Sequence, residues 1–516
     1  MLFNSYEFIL LYLPLTLVGF FLIARRSPWG ASVWLSCLSL VFYGWWDWRY
    51  VGLLLASIWI NYLAGRTLCT VRQRRGEHAA RFVLLAAIGL NLALLGFFKY
   101  ANFFIAASGL DVTLDDIALP LGISFFTFTQ IAFLVDVHQG KAREFRFASY
   151  CLFVTYFPHL IAGPVLHHKE MMPQFEEPRI YRPDWDMIAA GSAIFVLGLF
   201  KKVMIADKLA PFATFVFNSA DNGVPLTLFE AWGGALAYTF QIYFDFCGYS
   251  EMAIGLSAMF GIRLPINFLS PYKATSIIDF WRRWHITLSR FLRDYLYIPL
   301  GGNRHGRPRR WANLMITMAV GGLWHGAGWT FVAWGVLHGL YLLVNHAWNE
   351  AGVAIEHRFG WRPRLAYWPA RLLTFLAVVV AWVFFRADNL ETAIAMLAAM
   401  TGQQIVSLPA SLSALQAALP LLQDARFDGM FLNFNGKLNW PMGCSIIFLG
   451  MMLAWCAPNL PRLFGHRWPG LDHDLIERGA PAAWRWPVAL APAVGGMLLI
   501  CLVSLGEISE FLYFQF

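Results

Sequence analysis

Charge is scarce in this chain. Asp, Glu, Lys and Arg together supply only 14% of its 516 residues, where soluble domains carry about a quarter. That shortage excludes a soluble globular domain and a nucleic-acid-binding surface built from dense basic residues. Cysteine is equally unpatterned. Seven are scattered (Cys37, Cys69, Cys151, Cys247, Cys444, Cys456 and Cys501), an odd number with no CxxC pair, so they read as small buried hydrophobes and not as a disulfide or zinc framework. The sequence also lacks a G-x-S-x-G elbow, a P-loop and a dinucleotide-binding glycine fingerprint, so hydrolase, nucleotide-driven and dehydrogenase readings have no motif behind them. No repeat of about 20–50 residues is visible, which argues against a solenoid. No duplicated halves of a transporter stand out either.

What the chain has instead is apolar length. Hydrophobic residues make up 58% and aromatics 17% of it, and the mean hydropathy is +0.54. Runs long enough to cross the hydrocarbon layer fall at 7–24, 29–46, 50–65, 82–98, 116–136, 187–200, 227–246, 371–387, 443–457 and 487–505, with further helical material around 148–166 and 311–346. These predict an all-α polytopic membrane protein of about 10–12 spans, folded as a single domain over 1–516. The first run lacks a basic leader and ends at Arg25 and Arg26, which reads as a retained span and not a cleaved signal.

The formal charge of +8 is a topology signal. Basic residues cluster at Arg66, Arg72, Arg74, Arg75 and Arg81, then at Lys141, Arg143 and Arg146. Further clusters are Arg304, Arg307, Arg309 and Arg310, and the loop 347–371 with Arg358, Arg362, Arg364 and Arg371. The positive-inside rule places these in the cytoplasm. Both termini and the segment 402–440 are then expected outside, with 402–440 as an external excursion. Lys201 and Lys202 leave 148–226 ambiguous.

Two stretches depart from plain spans. Pro158, Gly163 and Pro164 break 148–166, and broken backbone at membrane depth has to be buried in protein or line a wet cavity. A re-entrant segment is expected there. Within 262–310, IIDFWRRWHITLSRFLRDYLYIP reads as an amphipathic interfacial helix, with Trp281, Trp284, Leu288, Phe291 and Tyr295 at helical spacing and Asp279 paired with Arg283.

Ionisable groups inside a membrane are functional hypotheses by default. His325 lies in GLWHGAGWTFVAWGVLHG (321–338), among apolar residues and glycines. Its basic flanks predict a hairpin over 311–346 with His325 near the apex. From position alone it is either a hydrogen-bonded structural histidine or a general base tuned near neutral pH. His338 reads as structural. His285, with Ser289 one turn on, is a candidate second member of a site. His159, His167 and His168 could line a cavity, but no spacing supplies a metal site. Asp245 reads as a structural hydrogen-bonding carboxylate.

PINFLSPYKATSIIDFWRRWHITLSRFLRDYLYIPLGGNR (265–304), followed by GLWHGAGWTFVAWGVLHG, resembles the membrane-bound O-acyltransferase (MBOAT) family, in its bacterial alginate O-acetylase-like branch. QIYFDFCGYSEMAIGL, FPHLIAGPVLHH, PLGISFFTFTQIAFLVDV and the terminal FLYFQF are similar to that branch as well. The resemblance implies a many-helix fold around a central tunnel, with His325 and His285 catalytic. Trp324, Trp284, Ser289, Asn267, Asp245 and His159 are the candidate tunnel-lining or substrate-binding residues, with no metal. It also implies acetyl-CoA as donor without a resident cofactor, a periplasmic acetyltransferase partner, and an exopolysaccharide such as alginate or cellulose as final acceptor, at a bacterial inner membrane. D-alanyl transfer to teichoic acid and non-catalytic transport are the alternatives.

Overall fold

The computed structural model describes the chain except for 110–113, 115–116, 143–145, 162, 361–364, 417–422, 434–437, 466–467, 472–490, 507–511 and 513–516. Arg143, Arg362, Arg364 and most of the terminal FLYFQF therefore lie outside the described residues. Among the described residues the protein is α-helical, with only isolated bridges such as Thr227 to Ile405 in place of a sheet. Five helices are long and apolar enough to cross a membrane: Glu7–Ala24, Arg49–Arg75, Glu77–Ala107, Trp185–Asp221 and Tyr367–Arg386. Shorter apolar helices at Ile123–His138, Leu390–Met400, Trp440–Cys456 and Ala491–Ser504 complete a multi-pass membrane protein.

The organising element is the helix Leu228–Met259, whose residues are almost all buried. Thr227 and Glu230 cap its start reciprocally, which satisfies amides that the first turn leaves open. It packs along Trp185–Phe200 through glycines. A Cβ on Gly248 would lie 2.6 Å from the Gly198 carbonyl oxygen, and one on Gly255 would lie 2.5 Å from that of Gly191. Small residues let the two backbones touch, a recurrent packing mode in lipid, where apolar burial alone does not drive helices together.

Lys201 and Lys202 do not interrupt the chain here. They sit in a π-helical turn, Lys201–Ala206, inside the continuous span Trp185–Asp221. Each is neutralised: Lys201 Nζ is 2.7 Å from Glu251, and Lys202 Nζ is 2.6 Å from Asp245 and 2.7 Å from Asp207. Asp245 also accepts the backbone N–H of Leu512 at 3.1 Å. Its role is thus an ion pair plus a backbone bond, more than the single structural hydrogen bond expected.

The segment 148–166 is broken as expected, into Phe147–Thr155 and Phe157–Leu160. Protein side chains accept from amides on both sides of the break: the Phe157 amide donates to Ser39 Oγ at 3.2 Å and the Val165 amide to Thr287 Oγ1 at 2.9 Å.

Two expectations need correction. The stretch 277–297 is not one amphipathic helix. It runs as Ile277–Trp281, then Ile286–Leu292, then a π turn Arg293–Tyr297. Trp284, Leu288 and Phe291 are buried in the protein, because the neighbouring loop competes for the backbone: the Ile286 amide donates to the Asn267 carbonyl at 3.0 Å. The Asp279–Arg283 pair does form, at 2.8 Å. Arg371 is not a loop cation. It is buried in Tyr367–Arg386, donating to the Trp455 carbonyl at 3.1 Å with its guanidinium over the Trp455 ring. The described part of 402–440 packs on the start of the central helix: the Leu228 amide donates to the Ile405 carbonyl at 2.8 Å, and the Asn433 amide to Glu230 Oε1 at 2.7 Å.

Candidate active site

The hairpin anticipated over 311–346 is present and longer than expected. Gly306–His325 ascends, residues 326–328 turn, and Trp329–Phe359 returns. Its open end is clasped by Arg307, 3.3 Å from Glu350, and by Arg310 on the same carboxylate. The glycines act mainly as packing devices. A Cβ on Gly322 would come within 2.2 Å of the Phe331 carbonyl oxygen, and one on Gly326 within 2.1 Å of the Phe331 ring. These contacts close the hairpin and set His325 as the last residue of its first helix, at the apex.

His325 is 3% exposed and sits among the rings of Trp324, Trp334 and Phe385, with centroids 4.9, 5.2 and 5.2 Å away. The His285 ring lies 6.4 Å from it, centroid to centroid. Two residues distant in sequence have been brought together. His285 has a left-handed backbone, φ 43°, which a non-glycine residue rarely adopts. Asn267 supports that conformation. Its Oδ1 is 3.1 Å from His285 Nδ1 and also accepts from the Thr287 amide at 3.3 Å and the Thr287 hydroxyl at 2.9 Å. An oxygen accepting all three assigns the proton of His285 to Nδ1, so Nε2 presents the lone pair.

A cleft reaches His325 of this pair. It enters past Trp46 and Leu119 and ends at Lys99, Trp324 and His325, with about 60 Å³ of free space. That is room for small molecules such as water and not for a packed core. The imidazole is therefore secluded but approachable.

The family model of MBOAT, the membrane-bound O-acyltransferase family, matches residues 137–379, which contain both histidines. The chain is 44% identical to the peptidoglycan O-acetyltransferase of Helicobacter pylori, over 79% of this chain and 81% of that one. It is 40% identical to the "Probable alginate O-acetylase AlgI" of Pseudomonas fluorescens across 100% of both chains. A teichoic acid D-alanyltransferase of Streptococcus thermophilus is 29% identical over 44% of this chain and 57% of that one. The chain belongs to the membrane-bound O-acyltransferase family.

As a member of that family it is an acyltransferase, and its nominated residues divide by position. His325 and Trp324 line the cleft, His285 stands beside His325, and Asn267 orients His285. The Trp324 indole Nε1 is buried with no acceptor among the described residues. Its ring stacks on Phe128 at 5.1 Å, and Phe128 stacks on Phe291 at 4.3 Å, so an aromatic column backs the site. The other nominees lie elsewhere. Trp284 stacks on Phe280 at 5.8 Å, and the Ser289 hydroxyl reaches the Trp284 carbonyl at 3.5 Å. Asp245 is held by Lys202. His159 donates from Nε2 to the Phe153 carbonyl at 2.6 Å, a structural bond inside the broken segment.

His338 is fully buried between Phe280, parallel at 5.9 Å, and Trp334 at 4.8 Å. His168 lies 3.0 Å from Asp136 and His167 3.0 Å from the Tyr295 hydroxyl, in a separate polar group. Among the described residues no group of three or more His, Cys, Asp or Glu could hold a metal ion. Sequence reasoning passed over Lys99 and Tyr100. Coming at the end of an apolar run, a lysine looks like a span boundary, yet these two touch the end of the His325 helix.

Proposed function

We propose that this acyltransferase takes an acetyl group from a cytosolic thioester, acetyl-CoA, and delivers it for O-acetylation of a polysaccharide outside the inner membrane of a bacterium, with a periplasmic acetyltransferase completing the transfer. The observation that carries the reading is the cleft-accessible, otherwise secluded His325 beside His285. The positive-inside rule assigns the clasped, arginine-rich end of the hairpin to the cytoplasm and the Trp46 end of the cleft to the outside. Both chain termini fall outside on the same rule. The relatives named for alginate and peptidoglycan O-acetylation support acetyl as the group and a polysaccharide as its destination.

In the reaction His325 removes the proton of the acceptor hydroxyl as its oxygen attacks the thioester carbonyl. The C–O bond forms, the C–S bond breaks, and the thiolate leaves with the proton that His325 held. The Trp324 indole N–H, lacking an acceptor among the described residues, donates to the carbonyl oxygen as it gains charge. His285, fixed by Asn267, orients the reacting groups. Aromatic walls keep bulk water out and limit hydrolysis of the thioester.

The test is the acetyl content of the cell-surface polysaccharides, measured by mass spectrometry in cells carrying His325→Ala at normal membrane levels. Loss of acetyl esters is expected. Unchanged acetylation removes His325 from the mechanism, and loss of D-alanyl esters instead of acetyl esters transfers the reading to the teichoic acid branch.

A further inference from the structure

An α-helix ends with carbonyls that have no amide to accept from, and its C-terminus carries partial negative charge. The His325 helix ends abruptly, because Gly326 leaves it in extended backbone at φ −159°. Its last carbonyls are instead met from a different span. Lys99 Nζ is 2.6 Å from the Trp324 carbonyl oxygen, 3.0 Å from that of His325 and 3.4 Å from Ser124 Oγ. The neighbouring Tyr100 hydroxyl donates to the Leu323 carbonyl at 2.8 Å. Consecutive carbonyls ending in the candidate base are thus tied down by consecutive residues of Gly96–Tyr100. That segment is a π turn within the span Glu77–Ala107, a rare distortion that recurs at functional sites. It turns the lysine toward the helix end.

A cation inside a membrane is costly without compensation. Among the described residues Lys99 has no carboxylate partner, so the helix end is its counter-charge. An ammonium has three protons, and the two carbonyls and Ser124 take all of them. Although Lys99 borders the cleft, its donors are committed to the protein and not to substrate.

We propose that Lys99 is a positioning residue: with Tyr100 it pins the end of the His325 helix and so fixes the imidazole at the floor of the cleft. The inference rests on His325 being the base. It requires that loss of the pin lowers turnover without weakening donor binding, since a displacement of about 1 Å at a reacting group can cost ~100-fold in rate.

The experiment measures kcat and KM for acetyl-CoA in proteoliposomes of wild type, Lys99→Met, Lys99→Arg, Tyr100→Phe and His325→Ala. Lys99→Met is expected to lose about 10- to 100-fold in kcat with KM within about twofold, and Lys99→Arg to recover part of that loss. Tyr100→Phe, which keeps the ring and removes one bond, is expected to lose a smaller part of kcat at unchanged KM. Wild-type kcat in Lys99→Met, or an effect confined to KM, overturns the proposal. Should Lys99→Met fail to reach the membrane, wild-type kcat in both Lys99→Arg and Tyr100→Phe overturns it. The His325→Ala arm keeps the two readings separate. An active His325→Ala removes the base, whereas an inactive His325→Ala beside a fully active Lys99→Met removes only the positioning role.

Discussion

At the scale of single residues, the site depends on side chains that hold other side chains. His285 keeps a left-handed backbone, and Asn267 holds it by accepting from the His285 ring and from Thr287. Replacing Asn267 with Ala removes that acceptor and frees the ring to change tautomer. Acetyl-CoA turnover in Asn267→Ala is expected to fall by about 10- to 100-fold, since a displacement of about 1 Å at a reacting group can cost ~100-fold in rate, while the protein still reaches the membrane. Wild-type turnover would show that His285 needs no such support. His325 was legible in the sequence because a titratable group among tryptophans and glycines is expensive to bury. Asn267 was nominated only through family resemblance, since nothing in its neighbours marks an asparagine that bonds a histidine well downstream. Lys99 was illegible for the opposite reason: its surroundings look like the ordinary end of a span.

At the scale of elements, the apolar runs predicted most helices well, because length and hydrophobicity decide what can sit in lipid. Pro28–Gly44, Tyr367–Arg386 and Trp440–Cys456 lie where the runs at 29–46, 371–387 and 443–457 put them. The reading failed at Arg282–His285, where helical periodicity continues but the backbone breaks. Periodicity records which residues are apolar; it does not record that an adjacent loop takes the amides. Pro158 and Gly163, by contrast, announced their break through their own backbone chemistry. The hairpin glycines carry a separate prediction. Gly335→Val puts a side chain where a Cβ would already be 2.3 Å from the Met318 carbonyl oxygen. The two helices must then part, at a cost of about 1–3 kcal/mol or more. A lower melting temperature in detergent, together with lost turnover, is the expected result, and an unchanged melting temperature would show that the close approach is dispensable.

At the scale of the whole molecule, part of the sparse charge of the sequence forms buried pairs between the central helix and its neighbouring span. Lys202 and Asp245 each have side chains only 2% exposed, and Asp207 shares the same lysine. Opening such a pair leaves carboxylates buried without compensation, typically about 3–5 kcal/mol. Lys202→Met is therefore expected to melt well below wild type, and adding Asp245→Asn should recover part of the loss. A single substitution that melts like wild type would contradict the pairing. These paired charges hold spans together and do not line the cleft, which fits an enzyme better than a carrier of ions.

The central claim is that His325 joins a donor on one side of the membrane to an acceptor on the other. Its most direct test uses proteoliposomes of uniform orientation, with radiolabelled acetyl-CoA at the cytoplasmic face and an oligosaccharide with the periplasmic transferase at the opposite face. The account predicts that free CoA appears on the donor side and acetyl ester on the far side, and that His325→Ala yields neither. Acetyl ester formed at an undiminished rate by His325→Ala, or formed only on the side that holds the donor, would contradict it.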